Sequence, residues 1–395
     1  MSATKRRADL TFSHNRGHGR HGWLRLTPAY SVRIVRGLLD DGDARLRVLD
    51  PFSGTGTTVL CASERGCPAV GVELNPFLVW FGGIKLQEFR PASLRQVPRL
   101  CDEVLRRNAP PVTAPPIHNI HRWWNADVLQ WLCEIAGAID AKRSCAAKDL
   151  LTVAFLRTMM DLSGAAFNHV SMSFKAPKAA DDATGAATFR ANVHAILEGA
   201  QTQPAKVGEV RQGDARNLKA LGRRTFHRVI TSPPYPNRMS YIRELRPYMY
   251  WTRHLIEARQ AGELDWQAIG GTWGIATSRL RDWKRTSGAT PKRLAKLLPR
   301  IAKAHEKNGP LLASYLDRYF EDTESHLGAL RKRVCKGGSI HYIVGNSSFY
   351  GELVPVELLY AELMERAGFR NAEVIRIRKR NSKKELYEFE VRAKA

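Results

Sequence analysis

The stretch Asp50-Pro51-Phe52-Ser53-Gly54-Thr55-Gly56-Thr57-Thr58 constrains the fold more than any other part of this chain. An apolar run, Arg47-Val48-Leu49, leads into it, and a helical apolar pattern through Leu60 and Ala62 leads out. A strand, a glycine turn and a helix start are the parts of a nucleotide-type cofactor loop. Gly54 and Gly56 let the backbone approach a ligand closely, and the helix start offers open N–H groups to an anion. The loop departs from the dinucleotide fingerprint, because Val59 stands where the third glycine would be. It also lacks the lysine of a phosphate-binding loop, which disfavours ATP or GTP hydrolysis.

The next strand, Ala69-Val70-Gly71-Val72, ends in Glu73-Leu74-Asn75-Pro76-Phe77. An acid at the end of the second strand, close to 20 residues past the glycines, is where a ribose diol is held in this architecture. A third strand is expected at Gly208–Gln212, with Gly213-Asp214-Ala215 at its carboxyl end. Ligands of doubly wound sheets lie at such ends, so Asp214 is either an acceptor for an adenine amine or part of an ordinary turn. The fourth strand, His227-Arg228-Val229-Ile230, runs into Thr231-Ser232-Pro233-Pro234-Tyr235. Two prolines donate no backbone hydrogen bonds, so the strand stops there. The corner offers one hydroxyl, carbonyls and one flat ring, which together suit a planar amine and the ring that bears it.

With 62 Lys+Arg against 38 Asp+Glu, the formal net charge is +24, which favours a polyanion such as nucleic acid. Binding of that kind weakens steeply with salt. No run of about 18 apolar residues reads as a membrane span. The charged start, Met1 to Arg7, has no apolar segment behind it and does not read as a signal peptide, so a cytoplasmic location is expected. The six cysteines (61, 67, 101, 133, 145 and 335) form no CxxC pair, which argues against a zinc or redox motif. His14, His18 and His21 lie in a Gly- and Arg-rich stretch without Cys or carboxylate partners nearby in sequence, and read as solvated or phosphate-facing. No metal is expected.

The periodicity predicts a helix from Trp23 to Leu39, ended by Asp40-Asp41-Gly42-Asp43. The alternation of strand and helix breaks at 90–205, a helical insertion with Pro110-Pro111 and Pro115-Pro116 as a linker and a loop at Asp181–Gly185. Segment 1–89 precedes it with the cofactor loop, and 206–251 carries the third and fourth strands and the corner. Arg238, Arg243 and Arg246, interleaved with tyrosines, suit stacking and phosphate contact, or belong to a mixed core-and-surface helix. Segment 252–314, basic and with Trp266, Trp273 and Trp283, is the candidate DNA-recognition region, or a solvated basic surface. Segment 315–395 closes the sheet: a turn at Lys336-Gly337-Gly338, a strand from Ser339 to Val344, and a hairpin of Val374–Ile377 with Leu386–Val391 across the basic turn 378–384.

In this order, the motifs Asp50–Thr58, Glu73, Gly213-Asp214-Ala215 and Thr231–Tyr235 resemble those of the DNA amino-methyltransferases, which use S-adenosylmethionine and methylate cytosine N4 or adenine N6. Trp23 to Ser31 looks like that family's additional cofactor-binding segment. The resemblance implies an α/β, Rossmann-like methyltransferase sheet, mostly parallel with an antiparallel closing hairpin. It also implies that Asp50 and the loop through Thr58 hold the methionine part of the cofactor, that Glu73 binds the ribose and Asp214 the adenine amine. Asn75 and Phe77 would flank the adenine, with Ala215 beside it. Ser232, Pro233, Pro234 and Tyr235 would form the catalytic corner. Serine at the first motif position is commonest among cytosine-N4 members, which makes cytosine the expected target and adenine the alternative. An RNA base methyltransferase and a non-catalytic nucleic-acid-binding protein are the competing readings. The partner is DNA. A cognate restriction endonuclease is a further partner of such enzymes, but no endonuclease motif stands in this chain, so modification alone is expected. The oligomeric state is left open.

Overall fold

The structure is a computed structural model that describes residues 7–26, 30–40, 45–166, 173–177, 179–206, 208–237, 240–272, 274–380 and 385–395. Arg238 and Trp273, the acidic turn at 41–43 and residues 381–384 of the basic turn lie outside the described residues. Seven strands form the main sheet: β1 (Val48–Asp50), β2 (Ala69–Glu73), β3 (Glu209–Gln212), β4 (Phe226–Thr231), β5 (Val334–Gly345), β6 (Arg370–Lys379) and β7 (Tyr387–Lys394). Their spatial order is β6-β7-β5-β4-β1-β2-β3. The five strands from β5 to β3 run parallel, and β7 pairs antiparallel with both β5 and β6. The order reverses direction at β1, between β2 and β4, so the carboxyl ends of β1 and β4 flank the switch point at which α/β sheets bind ligands. The fold is α/β and Rossmann-like, as the alternation predicts.

Strand periodicity divides the core. Val48 and Ile230 point to one face and pack with α1 (Val32–Leu39) and α2 (Thr57–Glu64). Leu49 and Val229 point to the other and pack with four helices from the second half of the chain. The helices of the long insertion, α4 (Pro91–Leu105), α5 (Ala126–Asp140), α6 (Ala146–Asp161) and α7 (Asp182–Gln201), form a third core with α3 (Pro76–Leu86) and α8 (Tyr241–Trp251). The basic stretch after it folds as α9 (Ala258–Gln267), α10 (Ile275–Asp282) and α11 (Lys292–Lys303). It turns Ile269, Leu280, Leu294, Leu297 and Ile301 into the core with α12 (Gly309–Arg331) and α13 (Val356–Arg366).

Three sequence expectations are corrected. The helix expected from Trp23 begins only at Val32, capped by the Ser31 side chain, which accepts from the Arg33 N–H. Trp23, Leu24 and Leu26 are buried by tertiary packing outside any helix. Asp181–Gly185 is no loop. Asp181 caps α7 by accepting from the Thr184 N–H at 2.8 Å, and Gly185 lies against Trp131, where a Cβ would sit 2.8 Å from the ring. Lys336-Gly337-Gly338 is no turn but a bulge inside β5, where the pairing with β4 jumps from Phe226–Val334 to Arg228–Ser339 and Gly337 takes φ +76°.

One buried cation ties the insertion to the sheet-bearing half. Arg20 donates to the carbonyls of Lys85 (2.9 Å), Gln87 (2.6 Å), Gly199 (3.3 Å) and Ala200 (3.2 Å) and to Gln203 Oε1 (3.0 Å). It thereby joins the end of α3 to the end of α7. Burial lowers its pKa to about 10, which still leaves it charged at neutral pH. Removing it strands several buried carbonyls at once, each costing about 1–3 kcal/mol. Arg20→Ala is therefore expected to lower stability by on the order of 3 kcal/mol or more. Urea unfolding checks this, and an unchanged midpoint would contradict it.

Candidate functional site

The two motifs meet at the switch point. Asp50 ends β1 and Thr231 ends β4, both 0 % exposed. Thr231 Oγ1 donates to Asp50 Oδ1 at 2.6 Å, and the Phe52 N–H donates to the same oxygen at 3.1 Å. Asp50 Oδ2 is buried without a hydrogen-bond partner among the described residues. Burial pushes the Asp50 carboxyl up to about 6 against the pull of the Thr231 hydroxyl and the Phe52 amide. Thr58, in the first turn of α2, donates from Oγ1 to the Ile230 carbonyl at 3.1 Å and bonds the Tyr30 hydroxyl.

The glycine loop takes the shape its residues require. Gly54 (φ +50°) and Gly56 (φ +74°) are left-handed, and Gly56 caps α2. The Glu73 carboxylate clasps the backbone on both sides of the site: Oε2 accepts from the Gly54 N–H and Oε1 from the Asn75 N–H, each at 2.8 Å. Burial raises Glu73 to about 7, with those two amides pulling the other way. Behind the loop the buried Lys85, lowered to about 8 by burial, donates to the Thr55 carbonyl at 2.6 Å.

These elements surround a cavity of about 370 Å³, inside the ~300–1,000 Å³ range of small-molecule sites. Of the residues singled out in the sequence, Pro51, Phe52, Gly54, Glu73, Asn75, Asp214, Ala215 and Ser232 through Tyr235 line it. Asp50, Ser53, Thr55, Gly56, Thr57 and Thr58 do not. They lie behind the lining, and Asp50 acts on the site through Thr231 and the Phe52 amide. Phe77, expected beside an adenine, is in the core of the insertion, stacked on Phe81 and Tyr248. Asn75 caps α3 through the Phe77 N–H while also lining the cavity. Arg243 and Arg246 lie on α8 outside the lining.

Asp214 has a partner within the chain that the sequence reading did not name. The Arg216 side chain donates to both its oxygens, at 2.7–3.1 Å, and the Arg216 N–H adds a bond at 2.8 Å to Oδ1. Arg216 also reaches Asp322 (3.3 Å) and the Gln267 carbonyl (2.8 Å), and Asp214 still lines the cavity. His21, expected as a loop residue, is buried beside Cys61 (3.7 Å) and Glu64 (3.3 Å), and burial lowers it to about 4, which keeps it neutral. His14 and His18 pack ring on ring.

The corner is fixed from four directions. Ser232 Oγ donates to the Ile343 carbonyl at 3.1 Å. The Pro234 carbonyl accepts from the Tyr319 hydroxyl at 2.7 Å, and the Tyr235 N–H donates to the Tyr241 hydroxyl at 3.3 Å. The Tyr235 hydroxyl donates to Glu388 Oε1 at 3.0 Å, and the Arg380 guanidinium lies 5.0 Å from its ring centroid. Glu388, 4 % exposed, is in turn held by Arg378 Nε at 2.7 Å. Sequence reasoning missed Glu388, Arg378 and Arg380, as well as Ile242 and Leu245 of α8 and Gln267 to Ile269 at the end of α9, all of which line the cavity. The basic turn read at 378–384 was the one available signal.

No family model matches the chain. Over 92 residues it is 30 % identical to the Type II methyltransferase M.AvaI of Nostoc sp., 23 % of this chain and 18 % of that protein. Over 72 residues it is 31 % identical to the Type II methyltransferase M.BsoBI of Geobacillus stearothermophilus, 17 % of this chain and 14 % of that one. The chain thus matches less than a fifth of the length of these relatives. Among solved structures, TrmN from Thermus thermophilus aligns over 97 % of this chain and 52 % of its own at 10 % identity and a TM-score of 0.32. The rRNA methyltransferase aviRa from Streptomyces viridochromogenes aligns over 92 % and 86 % at 11 % identity and a TM-score of 0.30. At that distance neither structure bears on the chemistry.

The buried Asp50 yields a stability prediction. In the unfolded chain this carboxyl has its ordinary pKa of about 3.9. The native state, with its raised value, takes up a proton at higher pH than the unfolded chain does. The buried anion therefore costs stability above about pH 6, by up to about 3 kcal/mol, and the cost fades as pH falls toward 4. Asp50→Asn keeps an acceptor for Thr231 and is expected to melt higher than the wild type at pH 8, with the gap closing as pH drops through 6. An equal or lower melting point at pH 8 would contradict it.

Proposed function

We propose that this chain is a DNA methyltransferase that moves the methyl group of S-adenosylmethionine to the exocyclic amine of a flipped base, with cytosine N4 as the target. The observation that carries this reading is the single cavity lined by both the glycine-loop segment and the Ser232–Tyr235 corner, whose parent strands are bonded through Asp50 and Thr231. The short matches to two Type II methyltransferases support the same class. The residues fit the cofactor. Each Glu73 oxygen has one lone pair on a backbone amide and another available to a ribose hydroxyl, and Leu74, Leu78, Leu245 and Phe52 offer apolar walls to a purine.

When bound, the cofactor supplies an electrophilic methyl group on a sulfonium. The rest of the mechanism belongs to the chain. A base inside a duplex is out of reach, so it is flipped into the cavity. Ser232 has its own proton on the Ile343 carbonyl, so toward the cavity its oxygen acts as an acceptor. Ser232 Oγ and the Pro233 carbonyl accept the two amine hydrogens. This draws the nitrogen lone pair out of ring conjugation and aims it along the line of attack. Tyr235 stacks on the base, its ring set by Glu388 and Arg380. No covalent enzyme adduct is needed: the new N–CH3 bond would form as the methyl–sulfur bond breaks to leave a neutral thioether, and the nitrogen would give up one of its two protons past Ser232 Oγ and the Pro233 carbonyl to solvent. The +24 charge supplies general attraction to the DNA backbone.

Positioning of this kind can contribute ~7–11 kcal/mol to lowering a barrier, whereas a neutral hydrogen bond is worth ~0.5–1.5 kcal/mol. Ser232→Ala is therefore expected to slow single-turnover methyl transfer by about tenfold. Tyr235→Ala and Pro233→Ala are each expected to slow it by on the order of a hundredfold or more. Rapid-quench measurement on the three variants gives the ranking, and Ser232→Ala as the slowest of them would overturn it.

A further inference from the structure

Beside the first cavity, α8 forms the wall of a second one. Tyr241, Ile242 and Leu245 line the first, and Tyr248, one turn further along the same helix, lines the second. This second cavity has a volume of about 530 Å³ and brings together Arg16, Arg25, Arg157 and Lys175 from three separate segments, with Asp161 as its one carboxylate among the described residues. Asp161 already accepts from Asn192 Nδ2 at 3.0 Å. Arg16, Arg157 and Lys175 have no ion-pair partner among the described residues.

The cations are placed by packing. A Cβ on Gly22 would lie 2.4 Å from the Arg16 carbonyl oxygen, so the segment carrying Arg16 and Arg25 closes on itself only with glycine there. The Lys175 N–H donates to the Gly164 carbonyl at 2.8 Å, which fixes its backbone against the end of α6. Burial and the charge of Arg16 both push the Arg25 guanidinium downward.

We propose that this cavity is a second binding site, which takes a backbone phosphodiester of the nucleic-acid strand whose base enters the first cavity. The inference rests on the nucleic-acid reading above and adds to it the place where the strand is gripped. The two sites share one helix, so the phosphate lies within a few nucleotides of the flipped base. Four cations spread around a cavity of this size suit a chain of phosphates rather than one small anion.

The test is a titration of a fluorescent DNA duplex at several salt concentrations with wild type and with the double variant Arg157→Gln, Lys175→Gln. A second double variant, Arg95→Gln with Arg106→Gln, removes the same charge from exposed positions on α4 and just after its end, outside both cavities. Calorimetry with S-adenosylmethionine checks that each variant retains the first site. The cavity variant is expected to bind DNA about tenfold more weakly, with a salt slope shallower by about 1 to 2. The α4 variant should stay close to wild type. Wild-type affinity and slope in the cavity variant, or an equal loss in the α4 variant, would overturn the second site and leave the methyltransferase reading standing. A wild type that binds neither DNA nor RNA would overturn both. Arg16→Gln, at an exposed position, repeats the measurement if the double variant folds poorly.

Discussion

The hydrogen bond between Asp50 and Thr231 is the link on which the rest of the site depends. It joins the last residue of β1 to the last residue of β4, and the glycine loop leaves from one and the proline corner from the other. Without it the two segments would share a sheet but not a defined spacing. The bond is made by a carboxylate with no exposure, one oxygen of which has no partner among the described residues. A buried anion of this kind is costly. Its placement at the junction of the two motifs is what a site built for positioning would show, since stability is given up there for geometry.

The same principle recurs around the cavity. Buried charges here are satisfied mainly by backbone. Glu73 accepts from two amides, one after β1 and one after β2, Lys85 supports the loop through the Thr55 carbonyl, and Arg20 gathers four carbonyls from the ends of α3 and α7. A charge bonded to backbone fixes main-chain position in a way that apolar packing does not, because hydrogen bonds are directional. The glycine loop and the ends of the helices around it are therefore held by directional contacts, while the sheet behind them is held by alternating apolar residues.

That division explains what was legible in the sequence. Strand alternation, the glycine loop and Pro233-Pro234 are local signals, and they located β1 through β4, the closing hairpin and the corner. The acid Glu73 was recognisable because its spacing from the glycines is fixed by one helix and one strand. Phe77 was misplaced because position alone does not tell which face of α3 a residue takes. The partner of Asp214 stands two residues away, yet nothing in the sequence distinguishes an arginine that binds the carboxylate from one that leaves it to a ligand. Glu388 and Arg380 reach Tyr235 from the end of the chain, more than 140 residues on. Contacts of that range depend on the order of strands in the sheet, which periodicity does not encode. The caps at Asp181 and Ser31 were readable in principle, since side-chain oxygens ahead of a helical run are a start signal.

The central claim is that the cavity transfers a methyl group from S-adenosylmethionine to the amine of a DNA base. Nucleoside mass spectrometry of DNA incubated with the protein and labelled S-adenosylmethionine tests it most directly. The account predicts labelled N4-methylcytosine. Labelled N6-methyladenine would retain the cavity and its mechanism but contradict the assignment of the base from Ser232. Absence of label from both nucleosides, under conditions where the protein binds the cofactor and DNA, would contradict the proposed function itself.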